Sequence, residues 1–171
     1  MEKLCLNCYE QAFENWLLDN RVRYVRTADF MRAQAGSISL KSFDFLLYPG
    51  STRKIVAEVK GRKFKGITLA GLAGLECWVT TDDVDGLHRW RQVLGPDHQA
   101  VFVFAYRMEN IDVDFDGRPV FDFGPDRYIF FCIRLDDYRS FMKPRSPKWR
   151  TVTLPADKFR YCVIKPDEIL L

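Results

Sequence analysis

The sequence predicts an α/β fold, a mixed β-sheet flanked by helices. Three observations predict it. Segments with helical periodicity stand near the start and the middle of the chain. Two apolar runs, Ala100 to Tyr106 and Tyr128 to Leu135, have the character of strands buried on both faces. Between the first helix and those runs lies Ser42 to Arg62, in which two apolar strands flank Pro49-Gly50.

The elements follow in order. Leu6, Tyr9, Phe13, Trp16 and Leu17 form one helical stripe from about Leu6 to Asp19, with Asn7 as a cap and Asn20 near the end. Val22 to Val25 alternates with Arg21, Arg23 and Arg26, as an edge or half-buried strand does. Ala28 to Ser39 has the composition of a short helix or a loop. Gly61 to Gly74 reads as an irregular connection. Thr81-Asp-Asp-Val starts a helix, with acidic groups at the positive end of its dipole, and Gly95-Pro96 ends it. Ile111 to Phe123 reads as a hairpin around Asp116-Gly117. Asp136 to Met142 is a short helix, Thr151 to Leu154 a strand, and Pro155 to Ile164 a last helix with proline in its first turn. No linker or repeat divides the chain, so residues 1–171 are expected to form a single domain.

Composition narrows the class. With 47% apolar residues the chain is globular rather than disordered. No apolar run has the length of a membrane span. Met1 to Cys5 lacks the layout of a signal peptide, so a cytoplasmic location and no membrane partner are expected. The five cysteines have irregular spacing and suggest no disulfide framework. Net charge is +3, too small to name a partner, but the charges are segregated. Lys54, Lys60, Arg62, Lys63 and Lys65 form one basic group, and Arg139, Lys143, Arg145, Lys148 and Arg150 another. Glu109, Asp112, Asp114, Asp116, Asp122 and Asp126 form an acidic stretch between them. Basic rims of this kind draw phosphate backbones.

The chemistry concentrates in the Ser42–Arg62 segment. Asp44 interrupts the first apolar strand; Glu58 and Lys60 interrupt the second, on one face. A loop of about five residues pairs Tyr48 with Lys54 and sets Asp44 opposite Glu58. Like charges directly opposite each other repel, and buried carboxylates call for a cation. Carboxylate oxygens suit Mg2+ or Mn2+. The alternative is a wet face, with Phe43, Phe45 and Leu47 and then Ile55, Ala57 and Val59 forming the core side while Asp44 and Glu58 meet water.

Asp44 followed by Glu58-x-Lys60 across a hairpin resembles the PD-(D/E)XK nuclease superfamily. The resemblance implies a restriction-endonuclease-like mixed β-sheet. It implies that Asp44, Glu58 and the Val59 carbonyl hold magnesium, while Lys60 orients or activates the attacking water. The first helix carries Glu10 and Glu14 one turn apart. Its segment Cys8-Tyr-Glu-Gln-Ala-Phe-Glu14 resembles the signature of the HYExAFE family, known chiefly from planctomycetes, with Cys8 in place of the leading histidine. Lys41-Ser-Phe-Asp-Phe, Val59-Lys-Gly-Arg62, Trp78-Val-Thr with Asp83-Val84, and Arg145-Ser-Pro-Lys-Trp149 extend the similarity. By position in the superfamily, Glu14 is the better candidate for a supporting metal ligand and Glu10 the second.

The expected function is therefore a metal-dependent nuclease that hydrolyses DNA phosphodiester bonds, in repair, recombination or defence. Its catalytic set is Asp44, Glu58, Lys60 and Glu14. Arg62, Lys63, Lys65, Arg145 and Lys148 would contact phosphates, and Trp149 would stack on a base. A homodimer is the arrangement that cutting both strands often requires. The alternative is a catalytically inactive nucleic-acid-binding or assembly protein on the same fold. Asp112-Val-Asp-Phe-Asp-Gly117 opens like a calcium loop but has Phe123 where the bidentate glutamate belongs. Cys5-x-x-Cys8 has no second Cys/His pair to complete a zinc site.

Overall fold

The computed structural model describes residues 8–27, 42–50 and 53–171. Asn7 and the Ala28–Ser39 segment lie outside the described residues. Helix α1 (Cys8–Asp19) buries Ala12, Phe13 and Leu17. It ends where the sequence suggests. Val22 N donates to Leu17 O and Arg21 N to Leu18 O, closing the last turn around Arg21 at φ 57°.

Six strands make one sheet in the order β1 (Arg23–Arg26), β2 (Phe45–Tyr48), β3 (Lys54–Phe64), β5 (His98–Met108), β7 (Asp126–Arg134), β6 (Phe121–Phe123). Only β3 and β5 run parallel; the other pairs are antiparallel. A parallel pair needs a crossover, and α2 (Thr81–Leu94) lies within the one between β3 and β5. A second sheet has the order β4 (Val79–Thr80), β9 (Thr151–Thr153), β8 (Lys143–Ser146). Helices α3 (Leu135–Phe141), α4 (Ala156–Cys162) and α5 (Pro166–Leu170) complete the chain. The expected mixed sheet flanked by helices is what forms. Among the described residues no helix is long and apolar enough to cross a membrane.

Alternation along the central strands divides the core in two. Ala100, Phe102, Phe104, Tyr106 and Met108 face one side of β5, with Val84, Leu87 and Trp90 of α2 and Tyr138 of α3. Val101, Val103 and Ala105 face the other, with Phe13 and Leu17 of α1. Burial on both faces explains the unbroken apolar runs. Strand β3 is the exception. Its row on the α2 side reads Val56, Glu58, Lys60, Arg62, Phe64, so charge is set into the middle of a core face.

Two expectations change. Gly61–Gly74 is not one irregular connection: β3 continues to Phe64, because pairing with β5 extends through Phe64 and Met108. Gly61 is required there by contact, since a Cβ would lie 2.2 Å from the Tyr9 ring. Asp116-Gly117 does turn, at φ 52° and 69°, but does not close a hairpin. The Asp114 segment instead bonds back to the Thr68 segment, with Leu69 N donating to Asp114 O at 2.8 Å, and the β6–β7 hairpin turns at Gly124-Pro125. Lys143–Ser146, within the second basic group, forms β8, a strand that the sequence did not announce.

Candidate metal centre and basic cleft

The β2–β3 register brings the carboxylates together. Phe45 pairs with Ala57, Leu46 with Val56 and Leu47 with Ile55. The same register places Tyr48 opposite Lys54 and, one step beyond the ladder, Asp44 opposite Glu58. The chain bends at Asp44. Phe43 packs in the α2-side cluster, with its ring 5.2 Å from that of Trp90. Phe45 and Leu47 pack in the α1-side cluster. Phe43 and Phe45 therefore do not share a face, contrary to the plain alternation the sequence suggested. The bend frees the Asp44 side chain to reach along the sheet, where its Oδ2 accepts a hydrogen bond from Val59 N at 2.7 Å. Its own backbone is held at both ends, by Ala57 O at 3.0 Å and Thr27 N at 3.1 Å. Ala57 and Val59 both turn their backbone polar groups toward the β2 side, so the Val59 carbonyl lies on the same edge as Asp44.

Glu58 is 8% exposed and so does not meet water as the wet-face alternative expects, whereas Asp44 is half-buried. Burial pushes its carboxyl up to about 8; the neighbouring Asp44 adds to the rise and Lys60 opposes it. Burial also raises Asp44, against the pull of the Val59 N–H, Lys60 and Arg26. Lys60 Nζ lies 3.2 Å from Glu58 Oε1 and 2.9 Å from Asp83 Oδ2. Burial alone would lower the Lys60 ammonium, and the two carboxyls more than reverse it. Among the described residues, no group of three or more His, Cys, Asp and Glu side chains converges as a metal cage. Asp44, Glu58 and the Val59 carbonyl form a smaller all-oxygen set. It suits an ion such as magnesium, which takes one or two carboxylates and fills its remaining positions with water or phosphate.

The two helix carboxylates have different surroundings. Glu14 is occupied by Tyr24 Oη at 2.7 Å and Arg26 Nη1 at 2.6 Å. Glu10 takes Arg26 Nη2 at 3.0 Å and feels the neighbouring Asp44 carboxyl. Burial, and then Asp44, raise the Glu10 carboxyl. Glu10 is thus the helix carboxyl that reaches the Asp44 group, because it stands a turn nearer the end of α1 that crosses β3 at Gly61.

The basic residues also separate. Arg62 donates to Gly61 O at 2.7 Å and to Trp78 O, and its guanidinium lies 3.9 Å from the Trp78 ring centre. These contacts tie its guanidinium to the fold at the wall of an open cleft. Lys63 and Lys65 are exposed on the rim of this cleft of about 530 Å³, lined also by Tyr9, Gly61, Arg62 and Trp78. Arg145 lies 4.9 Å from the Trp78 ring centre, which joins β8 to that cleft. Lys148 and Trp149 stand together in the exposed β8–β9 turn, the ammonium 5.1 Å from the indole centre. Sequence reasoning missed Asp83 as a partner of Lys60, Arg26 as the bridge between Glu10 and Glu14, and Trp78 as the platform for two arginines. Asp83 did carry a signal, but the signal announced a helix start only.

The mixed six-stranded sheet flanked by helices is a restriction-endonuclease-like α/β fold. It is similar to that of Hjc, a Holliday junction resolvase from the archaeal hyperthermophile Archaeoglobus fulgidus, with a TM-score of 0.55 at 12% identity over 95% of this chain and 98% of that one. No family model matches the sequence, and no curated protein does. The similarity to the HYExAFE signature therefore rests on the segments quoted above.

Proposed function

We propose that this chain is a metal-dependent nuclease that hydrolyses DNA phosphodiester bonds. The observation that carries the proposal is the convergence of Asp44, Glu58 and Lys60 where β2 leaves β3, on a face that Val56, Phe64 and the α2-side core cover. Burying carboxylates beside each other is costly, and a core that retains them has a use for them. Asp44 and Glu58, with the Val59 carbonyl, would hold Mg2+ or Mn2+. The bound ion would lower the pKa of a water and offset charge developing on phosphate. The hydrogen bond from Val59 N orients Asp44. Lys60 holds a positive charge beside Glu58, where it can stabilise the attacked phosphate. Glu10 supports Asp44 directly, and Glu14 acts through Arg26. Lys63, Lys65, Arg145, Lys148 and Trp149 form the surface that would hold the DNA strand.

One observation favours a second reading, an inactive nucleic-acid-binding protein. Lys60 already satisfies both Glu58 and Asp83, so the charges partly balance without an ion. Cleavage of branched, single-stranded and duplex DNA with Mg2+ or Mn2+, with Glu58→Ala as control, decides between the two. Cutting that depends on the ion and on Glu58 supports the nuclease. DNA binding without cutting and without metal uptake supports the second reading.

A further inference from the structure

We propose that Asp83 is the positioning residue for Lys60, and that the N-terminus of α2 thereby holds the amine of the reaction site in place. The inference rests on the nuclease reading above. Three observations carry it.

The first is geometry. Of the two carboxyls at Lys60 Nζ, Asp83 is the nearer, at 2.9 Å against 3.2 Å for Glu58. It is also the more enclosed, its side chain 2% exposed. The second is that Asp83 is itself immobilised. It is the third residue of a capping box, in which Thr80 N donates to Asp83 Oδ2 at 2.9 Å and Asp83 N donates to Thr80 Oγ1 at 3.0 Å. The cap is tied in turn to the small sheet: Thr80 pairs with Thr151, and Thr81 N donates to Arg150 O at 2.9 Å. The third is space. The gap lined by Glu58, Asp83, Gly86 and Leu87 is about 10 Å³, room for a water at most. The two carboxyls that hold the ammonium are therefore themselves closely packed against α2.

The consequence concerns the loaded site. A carboxylate that binds a metal ion gives part of its charge to the ion, so Glu58 holds Lys60 less strongly once it is a ligand. Asp83 is not a ligand. It keeps its hold on the ammonium whether or not Glu58 is engaged, so the amine keeps the orientation on which rate depends. The same carboxylate caps a helix, and a test must separate the two roles.

Asp83→Asn retains a side-chain oxygen for Thr80 N and loses the charge. Thr80→Ala removes the side-chain half of the capping box and leaves both the ion pair and the Thr80 N–H bond to Asp83 Oδ2. Asp83→Glu keeps the charge and the favoured third-position capping residue. We expect Asp83→Asn to lower kcat about tenfold or more with KM and Mg2+ affinity unchanged, and Asp83→Glu to restore most of it. Thr80→Ala should melt earlier and keep most of kcat, because the Thr80 backbone N–H still donates to Asp83 Oδ2 and holds that carboxylate. Acetylation of metal-free protein by acetic anhydride, read by mass spectrometry, should label Lys60 several-fold faster in Asp83→Asn than in wild type or Thr80→Ala. In wild type the Lys60 ammonium should give a slowly exchanging 15N signal that persists when Mg2+ is added. That measurement stands even where Asp83→Asn fails to fold. The proposal is overturned if the signal is lost on Mg2+ binding, or if Asp83→Asn and Thr80→Ala change kcat and labelling alike. If wild type cuts no DNA, the nuclease reading fails, while labelling and the metal-free signal still decide whether Asp83 anchors Lys60.

Discussion

Replacing Glu58 by glutamine should stabilise the metal-free protein at alkaline pH, although it removes a charged residue that touches a lysine. The folded carboxyl titrates near 8 and the unfolded one near 4.5. Below 4.5 both states are protonated, and the group contributes nothing to pH dependence. Between 4.5 and about 8 the folded state keeps a proton that the unfolded state has released. Stability from this group is therefore greatest at acidic pH and is lost as pH rises through that window. At 1.36 kcal/mol per pH unit the full swing is on the order of 5 kcal/mol. Asp44 shares part of it, because the two carboxyls respond to each other. A swing of even half that size is a large fraction of the roughly 5–15 kcal/mol that holds a domain folded. The glutamine amide has no proton to lose in this window, so Glu58→Gln should show a nearly flat contribution.

The assay is urea unfolding with a chelator, from about pH 5 to pH 9, of wild type and Glu58→Gln. The difference between the curves is the observable, because His88 and His98 act oppositely at the acidic end: burial lowers both, so their contribution is lost as pH falls. Wild type should lose stability relative to Glu58→Gln as pH rises toward 8. Magnesium should reverse that loss in wild type only, and increasingly with pH, since binding must displace the proton. Parallel curves at all pH values would refute the reasoning, and so would a magnesium effect equal in both proteins.

The remaining predictions are shorter. Lys60→Ala leaves the oxygen donors in place, so calorimetry should show magnesium binding preserved while cleavage falls about a hundredfold. Gly61→Ala drives a methyl into the Tyr9 ring and should cost about 1–3 kcal/mol in a denaturation curve, with α1 displaced. Arg62→Ala should lower the melting temperature by removing the Trp78 contacts. Lys148→Ala should leave melting unchanged while weakening DNA binding and reducing its salt slope by about one.

Much of this protein is local and was legible along the chain. The stripe of α1, the apolar runs of β5 and β7, and the start of α2 follow from side-chain periodicity and from capping. These depend on neighbours three or four residues away. The opposition of Asp44 and Glu58 also followed, because a loop length and a side-chain period of two set a hairpin register. Tertiary structure decided the rest. No periodicity announces the bend at Asp44, which moves Phe43 to the other face and turns a carboxylate toward Val59 N. Arg26 reaches Glu10 and Glu14 only because β1 returns beside α1. Asp83 meets Lys60 only because α2 packs on the face of β3 that carries charge. Arg62 lies over the Trp78 ring only because a distant turn brings Trp78 beside β3. A charged side chain's role is set by whichever partner the fold brings within about 3 Å, and that partner has no fixed place in the sequence.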